Sequence, residues 1–238
     1  MPSPLVAIDR ALSDDMRSLS FADPVTHVYN PLDYAREVHE AFLERFGKGK
    51  KDVLLIGMNP GPWGMAQTGV PFGDVSSVRD WMKLRGRIGK PAHEHPKRLV
   101  EGFDCPRSEV SGSRLWGWAK ERYGRPQAFF KRFFVVNYCP LAFLEASGRN
   151  RTPDRLPKEE REPLEARCDE ALRASYDVLR PKHVIGIGGW AQKTARRALE
   201  GRVEEVGVML HPSPASPIAN RGWAPRAEQD LLAAGITL

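Results

Sequence analysis

Four short apolar runs constrain this chain more than any other feature. They are Val53–Met58 (VLLIGM), Phe133–Asn137 (FFVVN), His183–Ile187 (HVIGI) and Val206–Leu210 (VGVML). Each is rich in β-branched residues and continuous rather than alternating, the pattern of strands buried on both faces of a parallel sheet. Helical patterns lie between them. Asn30 and Pro31 supply an N-cap and a first-turn proline for LDYAREVHEAFLERF. There Leu32, Ala35, Val38, Phe42 and Phe46 share one side, and Gly47 ends the helix. Leu164–Leu179 and Trp190–Leu199 also have helical spacing. Strand alternating with helix predicts an α/β fold, a three-layer α/β/α sandwich around a central, mainly parallel four-stranded sheet with right-handed crossovers. Segment 147–163 is polar and proline-broken and reads as a surface loop. A single domain over residues 1–238 is expected, with 1–29 as an N-terminal extension packed on it.

Composition excludes several classes. At 238 residues and 41% hydrophobic, the chain can bury a core without disulfide or metal staples. No apolar run approaches the roughly 18 residues of a membrane span, and acidic residues follow the N-terminus too early for a signal peptide. The 3 cysteines, Cys105, Cys139 and Cys168, are widely spaced and point to a reducing compartment. Net charge is +6, and its distribution is uneven. From Arg79 to Arg132 there are 14 basic and 6 acidic residues, so that segment carries the whole positive balance. Aromatics are interleaved through it, among them Trp81, Trp116, Trp118, Phe129 and Phe130. Two readings fit: a solvated face around core aromatics, or a surface that follows a phosphate backbone.

In such sheets, ligands gather beyond the carboxyl ends of the strands. After the first run comes Asn59-Pro60-Gly61-Pro62-Trp63-Gly64. It is no phosphate loop, because Pro60 and Pro62 lack the N–H groups such a loop donates. It reads as a rigid turn, either purely structural or built to hold Asn59. His211 ends the fourth run just before Pro212, and is either a satisfied polar residue or a catalytic one. Asn137 closes the second run. A buried amide there either pins a loop or reads a ligand edge that offers one donor and one acceptor. Phe72, a short loop beyond Asn59, is core or a surface for an aromatic base. His93 and His95 have no clear third ligand nearby, so no metal site is expected. No serine elbow, Cys/His pair or paired carboxylates are visible. The set suits a reaction whose hard step is departure of a leaving group.

The segments GMNPGPWGMAQTGVPFGDV (Gly57–Val75), NYCPL (Asn137–Leu141), SGRNRTP (Ser147–Pro153) and HPSPASPIANRGW (His211–Trp223) resemble the single-strand-selective monofunctional uracil-DNA glycosylases, a branch of the uracil-DNA glycosylase superfamily. The likeness runs from about residue 30 to the C-terminus, in matching order and spacing. It implies an α/β/α fold and a cofactor-free DNA-repair hydrolase that removes uracil and 5-substituted uracils such as 5-hydroxymethyluracil without lyase activity, with a side activity on deaminated purines. In roles, it implies Asn59 for placing water and His211 for the uracil O2. It implies Asn137 for reading the base, Phe72 for stacking, and Met58, Gly61 and Met65 for lining the pocket. Gly148, Arg149, Asn150, Thr152 and Pro153 match a DNA-contacting loop. Pro212, Ser213, Pro214, Ala215 and Ser216 match a wedge that enters the DNA. One departure is Ala215, where family members often carry Arg; Arg221 is the candidate substitute.

The expected partner is DNA, single- or double-stranded and uracil-containing, with no membrane partner and a monomeric state. The expected location is the nucleoid in a bacterial cytoplasm, or the nucleus in a eukaryote. Two other functions compete: a non-catalytic damaged-base binder of the same fold, and a hydrolase of free nucleosides or nucleotides.

Overall fold

The computed structural model describes residues 2–238. α1 (Pro4–Met16) leads to β1 (Val25–Tyr29), α2 (Pro31–Tyr34), α3 (Arg36–Phe46), β2 (Val53–Gly57) and α4 (Met65–Thr68). A long connection then reaches α5 (Val110–Tyr123), α6 (Pro126–Arg132), β3 (Phe133–Asn137), β4 (Ala142–Glu145) and β5 (Asn150–Arg151). The chain closes with α7 (Lys158–Leu179), β6 (His183–Ile187), α8 (Gly189–Ala198), β7 (Val206–Met209), α9 (Pro217–Asn220) and α10 (Trp223–Ala233).

The four apolar runs are β2, β3, β6 and β7, parallel and in the order β3-β2-β6-β7. From β2 the chain moves outward to β3, then returns past β2 to β6 and on to β7. Right-handed crossovers therefore put α5 and α6 on one face and α7 and α8 on the other. The helix packing agrees: α5 packs on α6 and α10, and α7 packs on α1 and α8. The carboxyl ends of β2 and β6 flank the point where the winding reverses, which is where open α/β sheets form a crevice.

Three sequence expectations are corrected. The first helical pattern is broken at Ala35 (φ −108°, ψ 24°), which separates α2 from α3. Helix α7 begins at Lys158, ahead of Leu164, and carries Pro163 inside it. Pro163 lies in the second turn, where its missing N–H removes a single helical hydrogen bond, so the helix tolerates it. Segment 147–163 is therefore only partly loop. Its Asn150–Arg151 stretch pairs with β4, and β4 pairs with β1, giving a second, antiparallel three-stranded sheet.

Phenylalanines from both sides of β3 dominate the core. Phe134 stacks on Phe42 at 5.2 Å, and Phe130 stacks on Phe46 at 4.2 Å. Helix α1 docks through buried Leu5, Val6, Leu12 and Met16, and the Asp9 carboxylate lies 2.7 Å from Nε2 of buried His39. No helix among the described residues is long and apolar enough to cross a membrane. Phe134 is fully buried. Phe134→Ala should lower unfolding free energy by about 3–5 kcal/mol, the usual cost of emptying an aromatic core position, as read by urea denaturation.

Candidate active site

A cavity of about 390 Å³ opens at the carboxyl ends of the parallel strands. Met58, Asn59, Gly61, Met65, Phe72, Asn137 and His211 all line it. All seven residues expected in the catalytic and base-binding groups thus face one space. A second, narrow cavity of about 40 Å³ shares Met65 and Asn137 but is too tight for a nucleobase.

Gly57 governs how closely the walls approach. It pairs with Asn137 across β2 and β3, and a Cβ on it would collide with Asn137 Oδ1 and the Phe72 ring. Phe72 has a left-handed backbone (φ 54°), unusual for a residue with a side chain. Its carbonyl accepts from Trp116 Nε1 at 2.9 Å and from the Asp74 N–H at 2.7 Å. Gly112 lets α5 come close, since a Cβ there would strike the Phe72 carbonyl. The ring is thus fixed before any ligand arrives.

Asn137 donates through Nδ2 to the Met65 thioether at 3.2 Å, while its Oδ1 is buried with no partner. A buried acceptor left unmatched is costly, so this oxygen favours a ligand that brings an N–H. Its neighbour in sequence is held firmly. The Tyr138 hydroxyl donates to Asp169 at 2.6 Å and accepts from Arg197 at 3.0 Å, tying the end of β3 to α7 and α8. Asn59 donates through Nδ2 to the Leu141 carbonyl at 3.2 Å. That bond leaves Oδ1 as the acceptor available to the cavity. An amide oxygen can orient water but cannot take its proton at neutral pH.

His211 packs against Gly188 at the end of β6 and lies 6.0 Å from Phe72, ring centre to ring centre. Its Nδ1 accepts the Ser213 N–H at 3.0 Å. The proton of the neutral ring is therefore on Nε2, which makes Nε2 a donor. Burial pushes the imidazole pKa down to about 4, so the neutral form prevails at physiological pH.

The loop after His211 is tightly tied. Ala215 N–H donates to Ser213 Oγ at 3.1 Å, and Asn220 Nδ2 to the Pro214 carbonyl at 2.8 Å. Arg114, which the sequence did not single out, donates to the Pro212 carbonyl at 3.1 Å and to Asn220 Oδ1 at 2.8 Å. Of the DNA-contacting candidates, Asn150, Thr152 and Ser213 line the cavity. Gly148, Arg149, Pro153, Pro212, Pro214, Ala215, Ser216 and Arg221 do not. Asn150 reaches it because the β4–β5 hairpin returns toward β2, where Asn150 Nδ2 donates to the Pro60 carbonyl at 3.0 Å. Just beyond the loop after His211, in α9, Ile218 is an exposed large apolar group, at 56%.

Glu109 and Ser111 also line the cavity unforeseen. Glu109 precedes α5, where Asp74 holds its N–H at 3.1 Å. Its carboxyl lies against Gly61 and Gly64, and burial raises its pKa. The space in front of Gly61 is thus bounded by a carboxyl.

His211 also makes stability depend on pH. Unfolded, an imidazole takes a proton below about pH 6.5, whereas folded His211 does so only near 4. The unfolded state therefore binds more protons in this window, and stability falls as pH drops through it. The ring keeps some contact with solvent, so its share is about 2 kcal/mol. Urea unfolding at neutral pH and near pH 4.5 should show that loss shrinking in His211→Asn.

The sequence comparisons agree with this geometry. The family model described as the uracil DNA glycosylase superfamily matches residues 44–231. Proteins named single-strand selective monofunctional uracil-DNA glycosylase from Rattus norvegicus and Bos taurus are each 50% identical over 227 residues, covering 94% of this chain and 82% and 84% of theirs. A solved structure of Pedobacter heparinus SMUG2 superposes with a TM-score of 0.65 at 17% identity, over 95% of this chain and 96% of that one, and shares the fold. A cavity at the sheet's carboxyl edge, the motifs that line it and a family match spanning most of the chain lead to one assignment: this protein belongs to the uracil-DNA glycosylase superfamily.

Proposed function

We propose that this chain is a repair glycosylase that hydrolyses the bond between uracil and deoxyribose in DNA, and that the unpartnered Asn137 oxygen beside the Phe72 ring is its base-reading centre. That oxygen is the observation that carries the reading: a buried acceptor without a partner belongs to a residue that lines a cavity of about 390 Å³, with a flat ring already in place. Uracil offers N3–H to Oδ1 and O4 to Nδ2. Cytosine carries the reverse pattern at both positions. Misassigned buried hydrogen bonds of this kind reject an analogue by about 10⁴-fold or more.

The base first leaves its stack, at a cost of a few kcal/mol that is least in single strands and mismatches. Stacking on Phe72 returns about 1–3 kcal/mol. Cleavage of the C1′–N1 bond sends its electron pair into the base, and negative charge collects on O2. His211 Nε2–H donates to that oxygen, and a preset donor in a dry site contributes about 3–4 kcal/mol. The sugar is left as an oxocarbenium ion, electrophilic enough to take a neutral water. Asn59 Oδ1 orients that water toward C1′, and its proton is released as the C1′–O bond forms. Among the described residues no lysine lines the cavity, which supports a route without a Schiff base to the sugar. The enzyme is therefore monofunctional and leaves the strand intact.

Around the ring, O2 faces His211, and N3 and O4 face Asn137. The next edge, C5, comes beside Met65, Gly61 and the Glu109 carboxyl. A polar boundary accepts a hydroxymethyl group and leaves a methyl without a partner, which supports 5-hydroxymethyluracil as a substrate and thymine as a non-substrate. Deaminated purines are a slower side activity. The protein acts as a monomer on single- and double-stranded DNA, at the nucleoid in a bacterium or in the nucleus of a eukaryote.

Single-stranded DNA containing one uracil, treated with the enzyme and then with alkali, should break at the uracil. Binding without breakage would identify a damaged-base binder instead. Asn59→Ala and His211→Ala should each lower the cleavage rate by about 10²-fold or more, and borohydride should trap no covalent adduct. Gly61→Tyr would push a ring into the Glu109 carboxyl and close the C5 edge. It should abolish cleavage of 5-hydroxymethyluracil, and retained cleavage would count against this account of the edge.

A further inference from the structure

The cations between Arg79 and Arg132 do not form one surface. Arg79, Lys90, Arg122 and Arg132 are matched by Asp80, Glu94, Glu228 and Asp52. Arg85 is bound to the backbone carbonyls of Arg79 and Leu84. Of the aromatics interleaved with them, Trp116, Trp118, Phe129 and Phe130 are buried in the core.

Two arginines from that segment behave differently. The guanidinium of Arg98 lies 5.1 Å from the centre of the Trp63 indole, and that of Arg107 lies 4.5 Å from it. Among the described residues, neither forms an ion pair with a carboxylate. Arg98 donates only to the Lys97 carbonyl, and its Nε is buried without a partner. The acid nearest Arg107 along the chain, Glu109, turns its carboxyl inward onto Gly61 and Gly64. Two like charges gathered on one ring repel each other, and the indole offsets only part of that. Such an arrangement favours an anion that can lie between or beside them.

Its position says which anion. Trp63 directly follows Gly61 and Pro62, which line the cavity, and its N–H donates to Glu109 at 3.4 Å. Arg98 lies beneath Gly148, at the turn of the hairpin that brings Asn150 and Thr152 to the cavity. The pair therefore sits on the rim between two cavity-lining segments, where the backbone of a strand delivering its base must pass. We infer that Trp63, Arg98 and Arg107 form a strand-holding platform that binds the phosphates flanking the extruded nucleotide. This rests on the glycosylase reading, and it assigns DNA contact to residues outside the wedge and the 147–153 loop.

Salt dependence tests it. Binding of a fluorescein-labelled single-stranded DNA of about 15 nucleotides is measured by anisotropy across a salt series. The slope of log Kd against log salt becomes shallower by about 0.7 for each phosphate that the protein ceases to neutralise. Arg98→Gln and Arg107→Gln should each weaken binding and flatten the slope by about that amount, and the double variant by about 1.4. Arg107 is exposed, so its variant alone decides the matter if changes at Arg98 disturb folding. Lys131→Gln removes an exposed charge from α6, by the opposite end of β3, and should leave the slope unchanged. An unaltered slope in Arg107→Gln, or an equal change in Lys131→Gln, overturns the platform. A wild-type protein whose binding ignores salt, and which cleaves no uracil, overturns the glycosylase reading itself.

Discussion

The site depends on an absence of atoms at Gly57. Strand β2 must place a residue opposite Asn137, and any side chain there would occupy the volume now held by the Asn137 side-chain carbonyl and the Phe72 ring. With hydrogen in that place, the Asn137 amide and the Phe72 ring both close in on the end of β2, beside the cavity they line. Gly112 does the same on the outer side, bringing α5 close enough for Trp116 to hold the Phe72 carbonyl. Two positions without side chains thus fix the one strained ring that the cavity needs. Strain of this kind persists only where the surroundings over-determine it, which is the case here.

The main sheet was legible because each of its strands is apolar without interruption, and burial on both faces demands that pattern. The second sheet was not, because β1 reads VTHVY and β5 is two polar residues, Asn150 and Arg151. Their pairing is decided by where β4 happens to run. The early start of α7 was hidden by Pro163 and a run of charge that looks like loop. Asn59, Asn137 and His211 could be found because each ends a strand beside a proline or a tight turn. Glu109 could not, and Asn150 was marked by the resemblance only as a DNA contact, since both reach the cavity through long-range packing. One is delivered by the Asp74 hold on the start of α5, the other by a hairpin. The basic segment illustrates a further limit. Counting charges located the region, but only the folded arrangement separates paired cations from unpaired ones.

Charge and neutrality are sorted by depth. Inside the cavity, burial keeps His211 uncharged and favours the protonated form of Glu109. On the rim, the guanidiniums of Arg98 and Arg107 lie against the Trp63 ring. An interior where burial works against charge gives differences in hydrogen bonding more weight than they have in water. Under the proposed reading, a cationic rim would draw in any strand regardless of its bases, and capture and discrimination would fall to different residues.

Arg114 joins the loop bearing His211 to α5, the helix whose start carries Glu109 and whose Trp116 steadies Phe72. His211, the loop after it and Phe72 are consequently tied to one helix, an arrangement that resists reshaping around a duplex. The bending and unstacking must then come from the nucleic acid. A pliant strand meets that demand cheaply and a well-paired helix does not, so under the proposed glycosylase reading a preference for unpaired substrate would need no dedicated sensor. It would be a mechanical by-product of how firmly the loop after His211 is clamped to α5.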